Sequence, residues 1–117
     1  IQADVENALA ALLPHGQTGI ESVAEKLRMS ARTLRRKLAA EGVTFAKILE
    51  DLRFALAKHH LAEPDLSISR IAWMLGYTEV SAFSHAFRRW SGRPPRAVRS
   101  QRRKPAPPAR AKLRARR

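Results

Sequence analysis

Residues 71–95 read IAWMLGYTEVSAFSHAFRRWSGRPP, and residues 23–45 read VAEKLRMSARTLRRKLAAEGVTF. The second stretch is a diverged copy of the first. Val23 and Ala24 match Ile71 and Ala72, Leu27 matches Leu75, Leu34 and Leu38 match Phe83 and Phe87, and Gly42 matches Gly92. The offset is 48 at the start, 49 further on and 50 at the glycine, so each change is one residue inserted in a turn or a cap. Each copy reads as a short helix, a tight turn and a longer helix. In a chain of net charge +13, two helix-turn-helix units argue for a reader of double-stranded DNA.

Working outward, Val5, Leu9, Leu12 and Leu13 recur at helical spacing and predict a first helix that ends before Pro14 and Gly16. Thr18 with Glu21 forms a capping-box pattern for a helix over about 19–27. Ser30 is the N-cap of the next, about 31–41, which Gly42 closes. A long helix follows over about 44–62, with an apolar stripe of Phe45, Ile48, Leu49, Leu52 and Leu56 that His59 extends. Pro64 and Asp65 break it. Ser67 caps a helix over about 68–75, Gly76 makes the turn, and Thr78 starts a helix to about Ser91 that Gly92 stops. A short last helix is expected at about 95–101. No segment alternates with period two, so the expected class is all-α: two helix-turn-helix subdomains, about 19–42 and 67–92, joined by a linker helix at about 44–62, in one domain over 1–98.

The charge is uneven. Of 23 Lys and Arg, nine lie in residues 99–117, where no acid occurs; the other 98 residues hold 14 bases and 10 acids, a net of +4. That tail has three prolines and almost no large apolar groups, so it is expected to be disordered, a nonspecific electrostatic arm for polyanions. Cysteine is absent, which removes disulfide and thiol chemistry. No apolar run approaches the ~18 residues a membrane span needs, and no secretory leader is visible in a start rich in acids. The chain begins with Ile, which reads as a piece of a longer protein.

In a helix-turn-helix the first helix braces the second, whose outer face enters the major groove. Ala24 and Ala72 suit the close contact between helices, and the matched leucines and phenylalanines supply the packing. The outward face in the first unit then carries Arg32, Arg35 and Arg36, suited to guanine edges or phosphates. In the second it carries Val80, Ser81, Ser84 and His85, with Arg88 and Arg89 nearer the end: a short, weakly charged face suited to thymine methyls and one or two hydrogen bonds. A linker of about 19 residues is roughly 28 Å long at 1.5 Å per residue, close to one DNA turn of about 34 Å. The expected site is two unlike half-elements in successive major grooves.

At IAWMLGYTEVSAFSHAFRRWSGRPPRAVR the chain resembles the AraC/XylS family of bacterial transcription regulators. Ile71, Ala72, Leu75, Gly76, Tyr77, Phe83, Phe87, Arg88, Arg89, Trp90, Gly92 and Pro95 fit its signature, and Ser30, Arg32, Thr33, Leu34, Arg36, Leu38, Gly42 and Phe45 are similar to its first unit. The resemblance covers about residues 5–99. It implies promoter binding and activation by contact with RNA polymerase in the bacterial cytoplasm, associated with the nucleoid. It also implies a separate sensing or dimerisation domain, for which this chain has no room. Carried over by position, the base readers are Arg32, Arg35, Arg36, Val80, Ser81 and His85. Backbone contacts are expected from Ser30, Thr33, Lys47, Thr78, Ser84, Arg88, Arg89, Arg93 and Arg96. Two positions depart from the pattern: His85 stands where the family often has Arg or Lys, and Arg70 where an acid commonly completes a capping box.

Blander roles compete. His59 and His60, adjacent near a helix C-terminus with no third ligand at metal spacing, read as dipole-stabilising cations. Trp73, Met74 and Trp90 read as packing, and Glu79 as a first-turn acid. The alternative function is a nonspecific, nucleoid-type architectural protein driven by the basic tail. An enzyme is the third class. Some relatives couple this module to a DNA-repair alkyl-transfer domain, which needs the cysteine this chain lacks, and no Ser-His-Asp grouping, phosphate loop or metal site is visible. No cofactor is expected.

Overall fold

The structure, a computed structural model, describes residues 1–103. The described chain is all-helical: α1 (Gln2–Leu12), a 3-10 turn (Leu13–His15), α2 (Ile20–Lys26), α3 (Ala31–Ala40), α4 (Phe45–Leu61), α5 (Ile68–Met74), α6 (Val80–Ser91) and α7 (Pro95–Arg103). Residues 104–117 of the expected tail lie outside the described residues. The expected start of that tail at residue 99 is corrected. α7 runs on to Arg103, and the Arg99 side chain donates to the carbonyls of Leu61 at 3.3 Å and Glu63 at 3.0 Å. The orphan carbonyls at the end of α4 thus gain a cationic donor, which favours a continued helix there.

The repeat is visible in the backbone. At the end of α2, Leu27 N–H donates to Val23 and Ala24 and Met29 N–H to Ala24; at the end of α5, Leu75 N–H donates to Ile71 and Ala72 and Tyr77 N–H to Ala72. The left-handed residue of the two turns is Arg28 (φ 62°) in the first and Gly76 (φ 89°) in the second. Arg28 is the one non-glycine residue with positive φ among the described residues. An L side chain there costs about 1–2 kcal/mol.

The caps differ between units. Ser30 Oγ accepts from Thr33 N–H at 3.1 Å, and Ser67 Oγ from Arg70 N–H at 3.0 Å, so these two predicted caps form. The Thr18–Glu21 capping box does not: Gly19 occupies the N-cap of α2 and no side chain caps it. Thr18 is instead turned so that its methyl lies beside Gly76. Nor does α6 begin at Thr78. Its N-cap is Glu79, which makes no cap bond with its side chain, and its carboxylate accepts from Ser81 Oγ at 3.5 Å.

Two cores result. Val5, Ala8, Leu9, Ile20, Val23, Ala24, Leu34, Leu38 and Ile48 form the first; Ala57, Leu61, Ile71, Ala72, Leu75, Phe83 and Phe87 form the second. α4 serves both, and this corrects the expected single stripe. Phe45, Leu49 and Leu52 join Ile48 in the first core, but Ala57 lies roughly half a turn around the helix from Ile48 and, with Leu61, faces the second. His59 is exposed, not part of the stripe. α4 has 17 residues, hence about 26 Å of rod between the units.

Candidate nucleic-acid interface

The second helix of the first helix-turn-helix unit is α3. Leu34 and Leu38 are buried completely and hold it on α2, which turns the opposite arc outward. Arg32, Arg35 and Arg36 fall on that arc at i, i+3 and i+4, and all three are exposed. None of them pairs with an acid among the described residues. Three unneutralised guanidiniums on one helical face are an electrostatic footprint for a polyanion. Their surroundings are unequal. Arg35 borders a cavity of about 420 Å³ that Ile20, Leu38, Ala39, Val43 and Phe45 also line, which places it at the edge of the arc. Ser30 and Thr33 stand at the N-terminus of the same helix, where the hydroxyl of Ser30 also donates to that of Thr33 at 3.0 Å.

The second helix of the second unit is α6. Phe83, Ala86 and Phe87 are buried against α5 and α4, and Trp90 is half-buried beside them. The rings form one cluster: Phe54 meets Phe87 edge-on at 5.7 Å, Tyr77 lies 5.8 Å from Phe83, and Trp90 lies 5.8 Å from Phe54. Trp90 Nε1 donates to Glu50 of α4 at 3.0 Å, which gives its polar edge a partner. The helix thereby presents Val80, Ser81 and His85 outward, all exposed, with Ser84 half-buried between them and Arg88 exposed one turn on. Val80 is 37% exposed, which is notable for a large apolar residue and suits contact with an apolar base edge. Thr78, Arg93 and Arg96 are exposed as well.

Two further expected backbone contacts, Lys47 and Arg89, are exposed beside carboxylates of α4. Lys47 Nζ lies 3.2 Å from Asp51 and 3.4 Å from Glu50. The Asp51 carboxylate, foremost, raises its pKa. Arg89 shares with Lys47, Glu50, Asp51, Phe54 and Trp90 the lining of a cleft between α4 and α6. Lys47 is thus paired with acids of its own helix, while Arg89 is exposed one turn after His85.

Trp73, expected to pack, is 56% exposed on α5, with the Arg70 guanidinium 5.4 Å from its ring. Met74 and Trp90 are half-buried. Sequence reasoning passed over Arg53. This half-buried α4 residue donates from Nε to the Leu75 carbonyl at 2.9 Å and stacks 4.2 Å from the Tyr77 ring centroid. Burial pushes its guanidinium pKa down, and burial pushes the Tyr77 hydroxyl up. The available signal was a lone arginine directly beside Leu52 of the apolar stripe, four residues after Leu49. Among the described residues no group of His, Asp and Glu is placed to hold a metal ion, and no helix is long and apolar enough to cross a membrane.

A family model described as a helix-turn-helix domain matches residues 23–101. The HTH-type transcriptional regulator VirS of Mycobacterium tuberculosis is 47% identical over 89 residues, which cover 76% of this chain and 26% of VirS. The chain thus spans about a quarter of the length of that curated relative. Among solved structures, the C-terminal domain of AraT, a response regulator from Geobacillus stearothermophilus, superposes with a TM-score of 0.75 at 29% identity, covering 86% of this chain and 84% of that one. The DNA-binding domain of the global transcriptional factor AdpA, solved in complex with a target DNA, gives a TM-score of 0.70 at 28% identity, covering 88% and 97%.

Proposed function

The chain belongs to the AraC-type helix-turn-helix family of DNA-binding transcription regulators, and we propose that it reads promoter DNA through α3 and α6, set in successive major grooves. The single observation that carries this reading is the pairing of the exposed, unneutralised Arg32, Arg35 and Arg36 arc with a second recognition helix at the other end of a 17-residue rod. Arg32 and Arg36 read base edges, with Arg35 at the margin; Val80, Ser81 and His85 read the second element. Ser30, Thr33, Thr78, Ser84, Arg88, Arg89, Arg93 and Arg96 position the backbone, and Lys47 does so when DNA draws it from Glu50 and Asp51. The AdpA complex, with a DNA-bound domain of the same architecture, supports this assignment.

At the level of the whole protein, the proposal extends to activation of transcription through contact with RNA polymerase, to a sensing or dimerisation domain in the longer polypeptide, and to a cytoplasmic, nucleoid-associated location. The quarter-length match to VirS supports the second of these. The test is competition binding at about 0.15 M salt between a selected duplex and unrelated duplexes, because nonspecific binding is almost wholly electrostatic. Specific reading predicts a preference of about 10³ or more. Equal affinity for all duplexes contradicts it and favours the nucleoid-type alternative.

A further inference from the structure

The two units have separate cores, yet one small seam joins them away from either recognition helix. Its centre is the turn of the second unit. A Cβ placed on Gly76 would lie 2.9 Å from Thr18 Cγ2, 3.1 Å from an Arg53 terminal nitrogen and 3.2 Å from the Leu13 carbonyl oxygen. Leu13 and Thr18 lie in the segment between α1 and α2 that leads into the first unit, Arg53 in the rod, and Gly76 in the second unit. Three parts of the molecule therefore close on one glycine, and Leu13, buried to 1% exposure, lies in the same segment. The 3-10 turn packs directly on α5.

Arg53 is what the rod contributes there. Its Nε satisfies the carbonyl of Leu75, one of the orphan acceptors at the negative end of α5. Its plane lies over Tyr77, the residue that follows the glycine. No carboxylate pairs with it among the described residues. A half-buried arginine directed at a turn, not at an acid, is oriented by the rigid geometry of its fork, which lysine lacks. Rotation of the second unit about α4 would break the hydrogen bond, unstack the ring and drive Gly76 against Thr18.

We propose that Arg53 is a positioning residue: by locking the Leu75–Tyr77 turn against the rod and the Leu13–Thr18 segment, it fixes the offset between α3 and α6, and so the spacing of half-elements that the chain accepts. The inference rests on the two-half-element reading above. It adds that spacing is selected by a contact no DNA atom touches. A rigid linkage concentrates the second reader at its half-element only when the geometry matches; a loosened one accepts neighbouring spacings at a lower maximum.

The test measures binding of wild type, Arg53→Met and Arg53→Lys to duplexes carrying both selected half-elements at the preferred spacing, one base pair shorter and one longer, and to duplexes with a single half-element. Circular dichroism melting accompanies each variant, and Arg53→Lys, which keeps stem and charge, serves if Arg53→Met does not fold. Wild type should prefer its spacing by about tenfold or more, and the variants should fall to within about threefold across spacings while holding single half-elements as wild type does. A folded variant that keeps the full spacing preference overturns the positioning role. So does an equal loss on every duplex, single half-elements included, which marks a merely structural residue. A wild type indifferent to spacing overturns the two-half-element reading itself.

Discussion

The two helix-turn-helix units share a backbone plan and divide its tasks differently. The first packs with aliphatic residues, caps its recognition helix with Ser30 and faces outward with three arginines. The second packs with an aromatic cluster, caps its bracing helix with Ser67, leaves its recognition helix without a side-chain cap and faces outward with Val80, Ser81 and His85. Even the turns are inverse: Arg28 holds a left-handed conformation in the open, whereas Gly76 holds it where no side chain has room. The two units share the positions that make two helices pack; the chemistry around them is charged in one unit and apolar in the other.

The comparison breaks most readily at the aromatic core. Phe87→Ala should cost about 3–5 kcal/mol, because the ring is completely buried and touches Phe54, Phe83 and Trp90. In a domain this small that is enough to melt the second unit, leaving weak nonspecific binding through the first. Thermal melting and binding measured together check this; unchanged melting with normal site-specific binding would show that Phe87 is not the anchor of α6.

The outer faces come next. Arg32→Ala or Arg36→Ala should weaken binding to the selected duplex by about 1–3 kcal/mol, with melting unchanged. His85→Ala should cost less, about 0.5–1.5 kcal/mol, as a neutral hydrogen bond would. Titration against specific and random duplexes separates the roles, since equal losses on both would make the arginines phosphate contacts and remove the asymmetry in base reading.

Capping gives a smaller contrast. Ser30→Ala should destabilise the first unit by about 1 kcal/mol, whereas Glu79→Ala, with no cap bond to lose, should stay within about 0.5 kcal/mol of wild type in chemical denaturation. Equal effects would mean that the α6 terminus is capped in solution. The turns give an effect of opposite sign. Arg28→Gly should stabilise by about 0.5–1 kcal/mol by removing left-handed strain, while Gly76→Ala destabilises. A destabilised Arg28→Gly would show that the arginine side chain has a role in the fold beyond its backbone.

Much of this asymmetry was legible in the sequence because it follows from local rules. The repeat placed Leu34, Leu38, Phe83 and Phe87 inside, and helical spacing placed Arg32, Arg35 and Arg36 outside. Ser30 and Ser67 were recognisable as caps. The failures share a cause: they depend on what lies opposite in space. Thr18 matched a capping box, yet it stands against Gly76; the stripe on α4 changes face where it passes from one core to the other; Trp73 has a packing residue's chemistry but no neighbour to cover it. Arg53 offered only its place beside the apolar stripe, since its partners are 22 and 24 residues away.

The central claim is that two unlike readers act as one unit on DNA. Selection of bound sequences from a random duplex pool, followed by footprinting of the chain on the selected site, tests it most directly. The account predicts two dissimilar half-elements about one helical turn apart, both protected by one chain, with the guanine-rich element lying under α3. A footprint confined to one half-turn, or a strict palindrome protected by a single chain, would contradict it.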